Sequence, residues 1–184
     1  MSAVEIVSIV VDALNRLGVD YMLVGSFSSN LYGIPRMTKD ADFLVQLGEA
    51  TVGQIVAACG PGFSLDPQIT FETITGTTRY RVQHPASDFI IEFFELSSDS
   101  HDRKRFARRR QVAFAGRMAS VPAPEDVIIT KLRWSKGGNR RKDVEDVENV
   151  LAVQVDALDL AYIRQWADQH GTRELFEKLL ASAR

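Results

Sequence analysis

The chain has 184 residues, 45% of them hydrophobic and 25% charged, enough for one domain, with or without a small appendage, and a real core. A net charge of −2 excludes a strongly basic protein that coats nucleic acid, although a local basic face is compatible with it. One cysteine, Cys59, excludes an internal disulfide framework, and no apolar run approaches the roughly 20 residues that span a bilayer.

The first stretch, "MSAVEIVSIVVDALNRLG", has acids inside it and no basic leader region, so the expected location is the cytoplasm. Val4, Val7, Val11 and Leu14 recur at helical spacing, with Ile6, Val10 and Leu17 widening the stripe, and Gly18 stands where a helix stops. "DYMLVG" reads as a buried strand ending at Gly25. "SFSSNLYG" opens a helix with Ser26 or Ser28 as its cap and Gly33 at its end. "DADFLVQL" is a second strand, and "EATVGQIVAACG" a helix weakened by Gly53. "ITFETITG", "TRYRVQH" and "DFIIEFFEL" follow as three strands, expected as an antiparallel continuation of the sheet. "DRKRFARRR" is charged, and "QVAFAGRMASV" turns as a hairpin at Gly116. From Pro124 the pattern is helical, over "PEDVIITKLRW", "RRKDVEDVENVLAVQ", "LDLAYIRQWADQH" and "TRELFEKLLASA". The expected fold is α/β (α+β): a mixed, largely antiparallel sheet flanked by helices over 1–121, with a helical region over 122–184 packed on it as one unit.

Asp40 and Asp42 lie inside an apolar run. On a strand, i and i+2 project from one face about 7 Å apart, so the two carboxylates point together while Ala41 and Phe43 point away. Side by side they repel unless a cation lies between them, and Mg²⁺ or Mn²⁺ takes such oxygens. The plainer reading is a strand edge or a turn. A third acid, Glu92, is set in "FIIEFFEL" with Ile90 and Phe94 on its side. Glu95 competes with it but faces the other way. Three acids on neighbouring strands suit a two-metal site for phosphoryl or nucleotidyl transfer. Gly25-Ser26, between strand and helix, exposes backbone N–H groups and a small hydroxyl to which a triphosphate can come close.

"LVGS", thirteen residues and "DADF" together resemble the signature of the nucleotidyltransferase superfamily that includes polymerase beta. The closest likeness is to minimal bacterial nucleotidyltransferases and abortive-infection-type toxins. "GIPRMTKDADF" and "PEDVIITKLRW…RRKDVEDVENVL" extend that resemblance over most of the chain. It implies Gly25 and Ser26 at the β- and γ-phosphates of an NTP such as ATP, and Asp40 and Asp42 as metal ligands. It implies Glu92 as the third carboxylate, orienting or deprotonating an acceptor hydroxyl; the commoner residue there is Asp. Lys131 would contact nucleotide phosphates, and Asp143 or Asp146 would be a supporting polar residue. Arg36 either positions a phosphate or caps the loop after Pro35.

Six basic residues lie between Arg103 and Arg110, namely Arg103, Lys104, Arg105, Arg108, Arg109 and Arg110. They form either a solvated face or a patch tracking the phosphates of an RNA acceptor. "KGGNRRKD" is a second basic loop. Phe106, Trp134 and Trp166 read as core, and His84, His101 and His170 lack zinc-ligand spacing. The acceptor is left open among RNA (with a toxin–antitoxin role and an antitoxin partner), a protein hydroxyl, and a small molecule of the aminoglycoside type. The rival is a non-catalytic nucleotide-binding or protein-interaction module of the same fold.

Overall fold

The computed structural model describes residues 1–183. The chain divides into two compact units. One is built from Met1–Gly25 and Thr38–Val121, the other from Ser26–Met37 and the chain from Pro122 onward. A boundary therefore falls between Val121 and Pro122. The segment 26–37, which the sequence places with the strands, groups with the C-terminal helices instead.

The first unit opens with α1 (Ala3–Leu17), capped by Ser2 and Glu5 in a reciprocal capping box and stopped at Gly18 in the left-handed conformation. Its buried stripe is Ile6, Val7, Val10, Val11 and Leu14, while Val4 and Leu17 at its flanks are exposed. Then come β1 (Asp20–Val24), β2 (Asp40–Gln46), α3 (Val52–Cys59), β3 (Ser64–Leu65), β4 (Thr70–Glu72), β5 (Thr77–His84) and β6 (Ser87–Glu95). The six strands form one mixed, largely antiparallel sheet of order β1-β2-β6-β5-β3, with β4 also on β5. One pairing departs from the expected antiparallel run: β6 lies parallel to β2. That geometry needs a long crossover, which α3 and the strands after it supply.

The basic run folds as α4 (Ser100–Ala107), and β7 (Arg110–Phe114) with β8 (Arg117–Val121) forms the expected hairpin. Nothing apolar marks α4 as a helix. It is held by Asp99, which accepts from the backbone N–H groups of His101 and Asp102, and by buried Phe106.

One face of the sheet is dry. Ala41, Phe43, Val45, Ile91 and Phe93 are buried there, with Phe43 against the rings of Tyr21 and Phe93. The other face is apolar at Met22, Leu44 and Phe94 and turns polar at Asp42, Asp40 and Glu92. An alternating strand that keeps acids on one side only is what the burial of the other side demands.

The second unit comprises α2 (Gly25–Tyr32) from Ser26 on, α5 (Pro124–Trp134), α6 (Arg141–Gln154), α7 (Leu160–His170) and α8 (Arg173–Ser182). Their core is Val127, Ile128, Ile129, Leu132, Val147, Val150, Leu151, Ile163, Trp166, Ala167, Phe176, Leu179 and Leu180. Gly33, just past α2, comes so near α6 that a methyl group there would lie 2.7 Å from the carbonyl carbon of Asn149 and 2.8 Å from the nitrogen of Val150. Backbone cannot yield as a side chain does, so Gly33→Ala should cost about 1–3 kcal/mol and lower Tm by several degrees. An unchanged melt would show that α2 and α6 have room to part.

No described helix is long and apolar enough to cross a membrane.

Candidate active site

The carboxylates belong to the first unit. β1, β2, β6 and β5 are in register such that Val24, Asp42, Glu92 and Arg81 stand side by side across the sheet. Directly paired residues point to the same face, so Asp40, Asp42 and Glu92 share one surface. Thr38 donates its hydroxyl hydrogen to Asp40 Oδ1 at 2.7 Å and fixes that carboxylate where β2 begins. Sequence reasoning gave Thr38 no role, although a threonine two residues before an aspartate is the spacing of a local side-chain bond.

Gly25 explains its own position. Its φ is +62°, and a methyl group there would fall 1.9 Å from Asp42 Oδ2 and 2.8 Å from Asp42 Cγ. Only glycine tolerates both the left-handed backbone and so close a carboxylate. The Gly-Ser step is thus tied to the second aspartate of the Asp-x-Asp strand by direct contact.

Glu92 has a 17% exposed side chain and faces two arginines of β5: Arg79 Nη1 at 3.7 Å and Arg81 Nε at 3.5 Å. Burial pushes its carboxyl above the usual range, and the Asp40 charge adds to that, outweighing the pull of Arg79 and Arg81. Glu95 lies on the opposite face, where its carboxylate accepts from the Tyr80 hydroxyl at 2.6 Å. That bond lifts the Tyr80 phenol to about 12. Glu92, not Glu95, thus shares the aspartates' face.

The donor chemistry fits a hard divalent cation at Asp40 and Asp42, two carboxylates on one face, the second seated against Gly25. Glu92 is in register to join them, but its carboxylate is turned to the arginines. Among the described residues, no three His, Cys, Asp or Glu side chains are gathered so as to hold a metal ion.

The remaining predicted residues belong to the second unit, where they form a single polar network. Arg36 donates to both oxygens of Asp146, from Nε at 2.6 Å and Nη2 at 2.8 Å, and Nη2 also donates to Ser26 Oγ at 2.8 Å. Asn30 clamps the Arg36 backbone, accepting from its N–H at 3.0 Å and donating to its carbonyl at 2.8 Å. Lys131 is buried, with Nζ 2.7 Å from Asp146 Oδ2 and 3.1 Å from Asp143 Oδ1. It is therefore no exposed helix lysine. Arg36 ties the 26–37 segment to α6 and does more than cap its loop. Both aspartates of the Asp-x-x-Asp pattern, Asp143 and Asp146, serve this network.

The basic run is divided. Arg105 is buried and donates to Asp102 at 2.8 Å, and Arg109 donates to Asp20 at 2.6 Å with its guanidinium over Phe106. Arg103, Lys104 and Arg110 are exposed. Phe106 and Trp166 are buried as expected for core, whereas Trp134 is half-buried beneath the Arg140 guanidinium.

No protein-family model matches the chain, and no curated protein matches it. Solved structures do. ANT(2″)-Ia, in complex with adenylyl-2″-tobramycin, is 12% identical and superposes with a TM-score of 0.65 over 95% of this chain and 99% of its own. An antigenic nucleotidyltransferase-like protein from Paracoccidioides brasiliensis is 16% identical, with a TM-score of 0.59 over 98% of this chain and 94% of its own. The lincosamide antibiotic adenylyltransferase LnuA, lincomycin-bound, is 8% identical, with a TM-score of 0.53 over 79% of this chain and 96% of its own. With the Gly25–Asp42 contact and the carboxylate face in place, the architecture of the chain is the nucleotidyltransferase fold.

Proposed function

We propose that the chain is a metal-dependent nucleotidyltransferase that moves NMP from an NTP to an acceptor hydroxyl. The observation that carries this reading is the contact of Gly25 with Asp42 on a strand that presents Asp40 on the same face. Asp40 and Asp42 would hold Mg²⁺ or Mn²⁺, with Glu92 as third ligand once its carboxylate turns from Arg79 and Arg81, and the ion when bound supplies positive charge against the phosphate oxygens. Gly25, lacking a side chain, lets the Asp42 carboxylate seat against the turn where the phosphates would bind, and the Ser26 hydroxyl, whose oxygen accepts from Arg36, keeps its hydrogen for a phosphate oxygen. Arg36 sets that hydroxyl directly and is itself held by Asp146, which Lys131 pairs. In the transfer, the acceptor oxygen bonds to the α-phosphorus, the α–β bridging P–O bond breaks and pyrophosphate leaves. The acceptor proton passes to the Glu92 carboxylate. Of the similar structures, one is named an adenylyltransferase and another holds adenylyl-2″-tobramycin. An RNA acceptor, and a toxin-like role with it, draws on the sequence resemblance and on exposed Arg103, Lys104 and Arg110.

The second reading is a nucleotide-binding module without turnover, and the pairing of Glu92 with Arg79 and Arg81 favours it. Asp42→Asn separates the two. Its carboxylate lies on the polar face and not in the core, so Tm should move by no more than a few degrees. Metal-dependent NTP binding should fall at least about tenfold, or 1.4 kcal/mol, with transfer abolished. NTP binding without transfer to any acceptor would favour the module. NTP binding indifferent to Mg²⁺ and to Asp42→Asn would remove the site.

A further inference from the structure

Arg79 and Arg81 have no part in the transfer chemistry above, yet they complete its row of charges. Arg81 is the register neighbour of Glu92, and Arg79 lies two residues before it on the same face, beside Phe94. Their side chains are 36% and 35% exposed. Among the described residues, the one carboxylate within ion-pair range of either is Glu92, at 3.7 and 3.5 Å, beyond the roughly 2.7–2.9 Å of a charge-assisted hydrogen bond. Arg79 Nε donates to Thr70 Oγ1 at 2.9 Å. Arg81 Nε is buried and has no hydrogen-bond acceptor among the described residues. Two guanidiniums thus share one distant carboxylate with donors to spare, and a buried unsatisfied donor is costly unless something arrives to take it.

We propose that Arg79 and Arg81 form an anion subsite for a phosphate group of the acceptor, so that the acceptor is a phosphate-bearing hydroxyl compound. This rests on the nucleotidyl-transfer reading. The row runs from the Gly25–Asp42 contact through Glu92 to Arg81, and two strand spacings separate Asp42 from Arg81, about 10 Å. Of that, Glu92 and Arg81 are one strand spacing apart, about 5 Å, which suits one sugar unit with its reacting hydroxyl at Glu92 and its phosphate at the arginines. Arginine forks match phosphate oxygens better than a carboxylate held beyond hydrogen-bond reach. Once the phosphate takes the guanidiniums, Glu92 is released toward the hydroxyl whose proton it receives. A polycationic acceptor would instead meet two like charges.

A terminal nucleotide of RNA and a free sugar phosphate share this chemistry. Calorimetric titration with ribose 5-phosphate, a ribotrinucleotide ending in a 3′-hydroxyl, and tobramycin, each without NTP, separates them. Wild-type protein is set beside Arg79→Gln/Arg81→Gln and the charge-keeping Arg79→Lys/Arg81→Lys. Both phosphate probes, or the trinucleotide alone if the source is RNA, should bind wild type and weaken at least about tenfold in the glutamine variant. The lysine variant, which keeps the charge but not the fork, should bind between wild type and the glutamine variant, and tobramycin should not bind. Equal phosphate binding by the glutamine variant, or tobramycin as the bound probe, overturns the proposal. Titration with Mg²⁺ and a non-hydrolysable ATP analogue runs in parallel. Failure of the analogue to bind wild type, with the phosphate effect intact, overturns the transfer reading and leaves the anion subsite standing.

Discussion

Replacing Gly25 with alanine should abolish nucleotidyl transfer while leaving the protein folded. Two costs act there. The residue has φ +62°, which costs an L-residue roughly 1–2 kcal/mol. The new methyl group would also sit 1.9 Å from Asp42 Oδ2 and 3.1 Å from Asp42 Cβ. Val24 is paired with Asp42 across β1 and β2, so the backbone on both sides is fixed by the sheet and the Asp42 carboxylate must swing away. Metal-dependent NTP binding and transfer should then fall together, by about two orders of magnitude or more. Gly18→Ala is the matched control: φ is +66°, and nothing lies within 4 Å of the methyl group it would gain. It should lose comparable stability and no activity. If the two variants transfer NMP equally well, the close approach at Gly25 has no chemical purpose.

Asp146→Asn should produce the largest loss of stability from a single charge. The side chain is 1% exposed and holds Arg36 and Lys131 together. Removing one partner of a buried ion pair typically costs about 3–5 kcal/mol because the other is left uncompensated. Arg36 is 20% and Lys131 11% exposed, and Lys131 keeps Asp143, so about 2–4 kcal/mol is expected here. The pH dependence follows from the same contacts. Burial alone would raise the Asp146 carboxyl, but hydrogen bonds and charge from Arg36 and Lys131 outweigh it and hold it below its ordinary value. A carboxyl depressed in the folded state stabilises fully above its unfolded pKa, near 3.9, and that contribution fades as pH falls through the lower folded value. Urea unfolding should therefore show a wide gap between wild type and Asp146→Asn at pH 7 that narrows below about pH 4. A gap unchanged at pH 3 would place the energy in packing, outside the ion pairs. Transfer should fall as well, since Arg36 also sets the Ser26 hydroxyl.

The residues most legible in the sequence were those governed by a period of two. Asp40 and Asp42 fall on one face by alternation, and Glu92 separates from Glu95 by the same count; the Tyr80–Glu95 bond accounts for the other acid. The helices with apolar stripes and glycine stops were equally readable. Three things were not. Whether β6 runs parallel or antiparallel to β2 depends on the path of a crossover, which neither strand records in its own residues. α4 carries three consecutive basic residues and little apolar stripe, so its helicity rests on the Asp99 cap and on the buried Asp102–Arg105 pair. The partners of Arg36 and Lys131 lie up to 110 residues away, and no local pattern could link them. Arg79 and Arg81 did show the alternation of a strand face, but only register places them beside Glu92.

The interleaving of the two units bears on how the protein is made and cut. Segment 26–37 leaves the ribosome well before residue 122, yet Gly33 seats on α6, the Tyr32 hydroxyl donates to the Pro122 carbonyl, and Arg36 waits for Asp146. Such non-local partners slow folding and leave α2 without its seat until α6 has been made. No single cleavage can separate the units into self-sufficient fragments. A chain ended at residue 121 would carry an orphaned helix immediately after Gly25, and a chain begun at residue 122 would lack the helix that α6 expects.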